Sequence, residues 1–453
     1  MKFCIITLGC KVNQYESEAL REAWLRTGHT DLPSPEGAEL VLINSCAVTA
    51  KAVRDLRAHA RRARRLSPAC KLLVSGCATQ ALPEEMRGLP LDALIPQKNK
   101  ADLLHILPQA EDTAPALAPE PERADGFPPF RVSGHARSRA VLKIHDGCSR
   151  HCAYCIVPLA RGPSVSRPWP AVLAEADRLL RAGFREIILS GVNLGLYGAD
   201  LSPPESLWTL FHRLESAFAV ERDLRFRLSS LEPGQWDEAA LERIGRSSLL
   251  APHLHLSLQS GSQAVLRRMG RDPDGPGHLP DFLAALRKTW PIFGLGADFI
   301  VGFPGESEAE FADTLALASS LPLSYAHIFP YSPRPGTPAA HFKKHVPPEV
   351  KKDRAVRLRA LIRSKKAAFL RQQIALPQVL VAPEGECPER GVNEFYSICR
   401  FNGSLPPAGR GLVPARPLYA RGSELLVEAI TNGSDRPSAS QAGGVGPQPR
   451  IKD

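Results

Sequence analysis

Residues 140–155 read Ala-Val-Leu-Lys-Ile-His-Asp-Gly-Cys-Ser-Arg-His-Cys-Ala-Tyr-Cys, a short apolar run that opens into a loop holding Cys148, Cys152 and Cys155. Thiolates at i, i+4 and i+7 can converge on one cubic iron–sulfur cluster while leaving one iron without a protein ligand. An open coordination position is where a catalytic metal centre takes its reactant. The apolar run predicts a buried strand, so the loop stands at a strand's carboxyl end, where parallel barrels carry their chemistry. Two other readings of these thiols stay open. A zinc ion would want a fourth ligand, for which His145 and His151 are near in sequence, or the thiols are unrelated.

Outward from that strand the pattern repeats. Runs at 140–145, 186–190, 225–229, 253–258, 296–301 and 325–329 read as strands, with helical spacing at 169–181, 206–215, 280–288 and 307–319. Six such β-α units predict a partial or full parallel barrel. Upstream, strands at 2–8, 39–45, 71–75 and 92–96 alternate with helices at 16–27 and 53–66. That order predicts a doubly wound parallel sheet, so the fold class is α/β. Downstream, 350–373 is a long polar helix, and 378–430 turns β-rich and glycine-punctuated, as a small β-barrel would. The expected organisation is a sheet domain at 1–100, a Pro-rich linker at 101–137, a barrel with a basic C-terminal helix at 138–375, a small β domain at 376–432 and a disordered tail at 433–453.

Composition narrows the function classes. An apolar share of 43% over 453 residues allows several cores and excludes wholesale disorder. A formal charge of +10 favours an anionic partner. Ten cysteines are too few for a disulfide scaffold. Neither a basic-then-apolar leader nor an apolar run of ~18 residues is present. The expectation is a cytoplasmic protein with no membrane partner, whose clustered cysteines are metal ligands or redox groups.

A second triplet supports this. Cys10 follows an apolar run, Cys46 follows Leu42-Ile-Asn-Ser and Cys77 follows Leu73-Val-Ser-Gly. Each ends a predicted parallel strand, and parallel strands end on one edge, so the three meet in one crevice. The competing reading is three small buried apolar residues. Cys4, Cys70, Cys387 and Cys399 read as packing residues.

With Tyr154 just before its last cysteine, the 148–155 motif resembles that of the radical S-adenosylmethionine superfamily. The resemblance implies a [4Fe–4S] cluster on Cys148, Cys152 and Cys155 that chelates S-adenosylmethionine and cleaves it reductively to a 5′-deoxyadenosyl radical. It also implies cofactor contacts from Tyr154 and from the strand ends at Gly191, Asn193, Ser229, Glu232 and Gln259, and from Asp298 within the fifth strand. With Cys10, Cys46 and Cys77 ahead of the motif, and with stretches 7–17, 253–271 and 329–337, the chain to about residue 430 resembles the methylthiotransferase family. That implies a second [4Fe–4S] cluster on the first triplet, a C-terminal TRAM domain, an electron donor protein and an unidentified sulfur donor.

Members of that family modify tRNA adenosines beside the anticodon or an aspartate of a ribosomal protein. The opening at 9–17 is most similar to the branch acting on N6-threonylcarbamoyladenosine. Where this chain has Lys11-Val12-Asn13, the isopentenyladenosine branch tends to carry Gln-Met-Asn and the ribosomal-protein branch Pro-Lys-Asn. The expectation is methylthiolation at adenine C2, a C–H bond with no acidic proton for a general base to remove. Isopentenyladenosine and the ribosomal aspartate are the alternatives, and a non-catalytic iron–sulfur RNA-binding protein is the reading from another class.

The charge pattern agrees with RNA. Residues 51–65 hold seven Lys or Arg against one acid, and 351–371 hold nine against one. Arg61, Arg62, Arg64, Lys351, Lys352 and Arg357 are the expected tRNA phosphate contacts, against the alternative of a solvated helix face. Phe395, Tyr396, Phe401 and Tyr419 give the small β domain few surfaces for base stacking.

Overall fold

The computed structural model describes residues 1–105, 126–134, 138–233, 235, 238–385, 387–403 and 409–430. Most of the expected linker at 101–137 and all of the tail at 433–453 lie outside the described residues.

The N-terminal sheet contains β1 (Lys2–Thr7), β2 (Thr30–Asp31), β3 (Leu40–Ser45), β4 (Lys71–Gly76) and β5 (Ala93–Pro96), parallel and in the order β2-β1-β3-β4-β5. Successive side chains leave a strand on opposite faces. Cys4, Val41, Ile43, Leu72 and Val74 therefore join one core with α2 (Ala50–Leu66), while Phe3, Ile5, Leu40, Leu42 and Leu73 join another with α1 (Lys11–Arg26). Two cores on two faces make the sheet doubly wound, as its order predicts. The first helix begins at residue 11 rather than 16. Its opening turn is buried through polar Asn13 and Glu16, which apolar periodicity does not register. A short α3 (Cys77–Ala81) follows β4 without a loop.

The α1 core also takes in Phe130 and Val141, so the sheet domain lies against the next unit. That unit begins with β6 (Ala140–Asp146), α4 (Val157–Arg161), β7 (Val165–Ser166), α5 (Trp169–Arg181), β8 (Glu186–Gly191), α6 (Leu207–Ala217) and β9 (Arg225–Leu228). It continues with β10 (Ser230–Leu231), α7 (Glu238–Arg246), β11 (His253–Gln259), α8 (Gln263–Met269), α9 (Leu279–Thr289), β12 (Gly294–Val301), α10 (Glu308–Ser320) and β13 (Tyr325–Pro330). All six expected strands form, but the third splits at Ser229, dividing the ladder into β7-β6-β8-β9 and β10-β11-β12-β13. Among the described residues no ladder joins β13 to β6, so the barrel is partial and β13 is an open edge.

A long α11 (Pro348–Ile374) ties this barrel to the last unit. Ala355, Leu358 and Ile362 enter the large core, and Phe369 and Leu370 enter the small one. The small unit closes as a barrel of β14 (Val379–Glu384), β15 (Cys387–Asn393), β16 (Ile398–Phe401), β17 (Val413–Arg421) and β18 (Glu424–Ala429). Cys4, Cys70 and Cys399 are buried as expected. Cys387 is exposed, contrary to its reading as a packing residue, because it stands at the outermost position of β15. No helix among the described residues is long and apolar enough to cross a membrane.

Candidate functional site

The first cysteine triplet is positioned by strand register. Thr7 pairs with Asn44 and Asn44 with Ser75, so β1, β3 and β4 end level. Cys10 caps α1, Cys46 follows β3 and Cys77 opens α3. Two glycines let these turns close. A Cβ on Gly9 (φ +101°) would lie 2.6 Å from Cys46 Cβ, and one on Gly76 (φ +110°) 2.5 Å from Ser45 O. Neither the backbone conformation nor the space admits another residue. Asn13 Nδ2 donates to Leu8 O at 2.8 Å and Ser45 O at 2.9 Å, which holds the edges together. Cys46 and Cys77 are buried and Cys10 is exposed. Burial pushes the Cys46 thiol up to about 12. Burial also raises Cys77, against the pull of Arg161 and Lys100.

The second triplet lies beyond β6. Its loop is pinned by Ala153 N donating to Met269 O and Ala339 N donating to Ala153 O, both at 2.8 Å. Cys148 Sγ accepts from Arg150 N at 3.4 Å, and the Asn193 side chain bonds to the same thiol. Burial pushes Cys155 up to about 12. A cavity beside Cys152 is lined by Arg150, Glu232, Leu258, Leu266 and Arg271. Arg271 Nη1 reaches Glu232 Oε1 at 3.1 Å, Tyr154 Oη at 3.5 Å and Cys152 Sγ at 3.9 Å. Tyr154, Asn193 and Glu232 are thus brought to the cysteine loop. Ser229 stands at the strand break with its buried hydroxyl unpartnered. Gln259 closes β11 in a left-handed conformation, φ +67°. Gly191 meets β6, where a Cβ would lie 2.7 Å from His145 Cβ. Asp298, directly before the β12 partner of Gln259, has its carboxylate accepting from His255 Nε2 at 3.1 Å with His327 close by.

Sulfur spacing tests what either triplet can hold. Tetrahedral zinc, with bonds of ~2.3 Å, would gather its sulfurs about 3.8 Å apart. Among the described residues neither triplet brings three sulfurs within 4.8 Å of one another, and neither His145 nor His151 joins such a set. The sulfurs of each triplet thus lie farther apart than a single tetrahedral zinc ion would gather them.

Between the triplets lies a charged set that the sequence reading missed. Glu16 accepts from Lys100 Nζ at 2.6 Å, Lys143 Nζ at 2.8 Å and Arg161 Nη1 at 2.8 Å. Asp146 accepts from Lys143 at 2.7 Å and Arg161 at 2.8 Å. None of the five side chains is more than 8% exposed, so three cations face two carboxylates in the interior. Burial alone would raise the Glu16 carboxyl, but Arg161, Lys100 and Lys143 hold it well below the usual carboxylate range. A buried charge without a partner is strongly unfavourable. This surplus sits beside Cys77, and a cubic cluster held by three thiolates is an anion that would offset it. The available signal was Lys143 inside, and Asp146 just after, the apolar run that predicts a buried strand.

The expected RNA contacts divide. Among the described residues, Arg61, Arg62 and Lys352 are exposed without an ion-pair partner. Arg64 is held by Asp92 at 2.6 Å and by the carbonyls of Pro68, Cys70 and Pro90. Lys351 donates to Tyr331 O at 3.2 Å and passes over Gly302, and Arg357 pairs with Glu308 at 2.6 Å.

Comparison with known proteins agrees with this layout. Residues 2–95 match the uncharacterized protein family UPF0004, and residues 142–318 match the radical SAM superfamily. The threonylcarbamoyladenosine tRNA methylthiotransferase of Thermotoga maritima is 34% identical over 415 residues, covering 88% of this chain and 91% of its own. Its counterpart in Bacillus subtilis is 36% identical, covering 78% and 79%. The tRNA-2-methylthio-N(6)-dimethylallyladenosine synthase of Ruegeria pomeroyi is also 36% identical, covering 80% and 83%. Among solved structures, a radical S-adenosylmethionine methyltransferase from Kitasatospora setae superposes with a TM-score of 0.53 at 15% identity, covering 75% of this chain and 76% of that one. That likeness concerns the fold alone.

Proposed function

The chain belongs to the radical S-adenosylmethionine methylthiotransferases, and on that footing we propose that it installs a methylthio group at C2 of N6-threonylcarbamoyladenosine beside the tRNA anticodon. The observation that carries the reading is the pair of sulfur triplets flanking one buried, net-cationic network beside a half-open barrel. Radical S-adenosylmethionine enzymes hold a [4Fe–4S] cluster and S-adenosylmethionine, for which Cys148, Cys152 and Cys155 are the ligands here. Once bound, these groups supply an electron and a carbon-centred radical able to break a C–H bond without acidic character. A second [4Fe–4S] cluster on Cys10, Cys46 and Cys77 is part of the proposal, supported by the three level strand ends that carry these cysteines and by the surplus charge of Lys100, Lys143 and Arg161.

The chain's own groups serve that chemistry by orientation and exclusion. Arg271 and Glu232, paired beside Cys152, present charges of both signs to a zwitterionic amino acid. The unpartnered Ser229 hydroxyl offers a hydrogen bond to a ribose, with Tyr154, Gly191, Asn193 and Gln259 completing the proposed wall. Leu258 and Leu266 give the same cavity an apolar part of its wall. The edge at β13 admits a nucleobase from outside. Arg61, Arg62 and Lys352, with the small barrel acting as a TRAM domain, are the proposed tRNA grips. An electron donor protein and a sulfur source complete the cycle, and the substrate places the reaction in the cytoplasm.

The test is mass spectrometry of tRNA nucleosides from a deletion strain. The 2-methylthio derivative of N6-threonylcarbamoyladenosine should disappear, return with the wild-type gene, and stay absent with Cys148→Ala or Cys46→Ala. Loss of the methylthiolated dimethylallyl nucleoside instead would move the substrate to that of the Ruegeria relative, which is equally similar. Intact tRNA with an unmodified ribosomal aspartate would refute an RNA substrate. Anaerobic protein should bind about eight irons, and either Cys variant about four. Only Cys46→Ala should still cleave S-adenosylmethionine.

A further inference from the structure

The helix-facing side chains of the large barrel's strands, among them Leu254, Leu256, Leu295, Ala297 and Ile328, fill its main apolar core. Strand alternation therefore turns His253, His255, Asp298, Tyr325, His327 and Phe329 into the lumen. These side chains are organised around one phenol. Tyr325 Oη lies 2.8 Å from His253 Nε2 and 2.9 Å from His255 Nδ1. Gly296 makes room for this, since a Cβ there would lie 2.2 Å from the Tyr325 ring and 2.4 Å from His255 Nδ1. His255 continues to Asp298, and His327 completes a set of three donors within 4.8 Å. On the open edge, His327 and Phe329 are solvent-exposed although they point inward, so this wall borders an accessible space.

The floor of that space comes from elsewhere in the chain. Tyr396, in the turn between β15 and β16, lies tilted against His253 and Tyr325, with ring centroids 4.7 Å and 5.4 Å away. It holds a left-handed φ of +65°, unfavourable for a residue with a Cβ. Asn393 enforces that turn, its Oδ1 accepting from Phe395 N at 3.1 Å and Ser397 N at 3.0 Å while its Nδ2 donates to Gln373 at 2.7 Å. Three cations stand over the Tyr396 ring: Arg227 at 5.2 Å, Lys11 at 5.6 Å and Arg139 at 5.7 Å. Arg227 is committed to Glu186 at 2.8 Å. Lys11 and Arg139 have no carboxylate partner among the described residues; the Arg139 side chain hydrogen-bonds the Tyr396 side chain, but its Nη1 finds no acceptor among those residues. Lys11 also directly follows Cys10 of the first triplet.

We propose that Lys11 and Arg139, over Tyr396, bind the carboxylate at the end of the substrate's N6 substituent, and so make the enzyme specific for adenosines whose substituent is anionic. This deepens the substrate reading above and rests on it. Two cations without a carboxylate partner leave a charge that a carboxylate neutralises and a dimethylallyl hydrocarbon does not, which favours the anionic substituent. Asp298, fixed by His255, accepts from the N–H groups of a carbamoyl linkage. Because Lys11 adjoins Cys10, anchoring the substituent there turns the purine toward the sulfur-bearing edge of the sheet domain.

The experiment uses anaerobically reconstituted full-length enzyme and three anticodon stem-loops: one with N6-threonylcarbamoyladenosine, one with its carboxylate methyl ester, and one with the dimethylallyl nucleoside. Charge-assisted hydrogen bonds predict that wild type prefers the acid over the ester by roughly ten- to a hundredfold in kcat/KM, mainly through KM. The Lys11→Met, Arg139→Met double variant should bring that ratio close to one, whereas Arg139→Lys should keep most of it. Iron content and melting temperature establish that each variant is folded and loaded. A folded double variant that still prefers the acid as wild type does overturns the assignment while leaving the substrate reading intact. Wild type that modifies only the dimethylallyl stem-loop overturns both.

Discussion

Gly147 and Gly162 face each other across the cysteine loop of the barrel, where Cys148 N donates to Gly162 O at 3.0 Å. Both have positive φ, +64° and +77°, yet they differ in surroundings. A Cβ on Gly147 would lie 1.8 Å from Pro163 O, while one on Gly162 meets nothing within 4 Å. Gly162→Ala should therefore cost about 1–2 kcal/mol, the left-handed penalty alone. Gly147→Ala adds a backbone clash and should cost more than about 3 kcal/mol, with iron lost from the barrel triplet. Urea unfolding of the two variants separates strain from collision, and equal losses would mean that the loop can shift. At this scale the sequence was informative wherever chemistry is local: three cysteines at strand ends follow from the edge rule and three in one loop from their spacing. Lys11 was legible only as part of a branch-like motif with no physical reason attached. Its partner Tyr396 is supplied by another module 385 residues away, a relation no local pattern encodes.

Helix α2 shows how an element can look uniform in sequence and be divided in space. Its buried stripe of Val53, Leu56, Ala60 and Ala63 follows helical spacing, which is why the helix was visible. The basic residues on the remaining surface are not equivalent. Arg64 spans Asp92 and three carbonyls, and Asp92 also accepts from Leu72 N at 2.6 Å, so Arg64 secures the β4–β5 connection. Arg61 and Arg62 are exposed and unpaired among the described residues. Each phosphate contact contributes about −0.7 to −0.9 to the dependence of log affinity on log salt. Arg61→Glu with Arg62→Glu should therefore weaken tRNA binding for any sequence and flatten the salt slope by about 1.5, with stability unchanged. Arg64→Glu should instead lower the melting temperature and leave the slope of the surviving folded protein alone. Binding titrations between 50 and 200 mM salt decide this, and an unchanged slope in the double variant removes α2 from the interface. The same division explains the early start of α1 and the split third strand. Both depend on polar or backbone partners that apolar periodicity cannot display.

The modules of the whole molecule are joined by buried ions as well as by apolar contact, and these joints were the least legible feature of the sequence. Glu16 of the sheet domain holds Lys143 and Arg161 of the barrel, 127 and 145 residues away. Glu186 holds Arg225 and Arg227, which donate onward to Leu380 O at 3.0 Å and Asn393 O at 2.9 Å of the small barrel. The first joint carries one cation too many, so its two halves should respond oppositely to substitution. In cluster-free protein, Lys100→Met leaves two cations against two carboxylates and should be neutral or stabilising, because burial already disfavours the Lys100 charge. Glu16→Gln leaves three cations against one carboxylate and should cost roughly 3–5 kcal/mol. Loss of stability in both would mean that the surplus is already neutralised within the chain. Acid supplies an independent check on both joints. Burial would raise Glu186 as it would Glu16, but the adjacent cations outweigh it and depress both carboxyls in the folded state. A depressed folded pKa means that the stabilisation is complete above the unfolded value of about 4.3 and is lost as pH falls through it toward the folded one. The melting temperature of cluster-free wild type should thus hold from neutrality to about pH 5.5 and then fall steeply. Glu186→Gln should melt lower at pH 7 yet lose less between about pH 5 and pH 3, since the group that would be protonated is gone. Calorimetry across that window reads the difference, and parallel acid profiles for the two proteins would show that the Glu186 joint does not contribute to acid sensitivity.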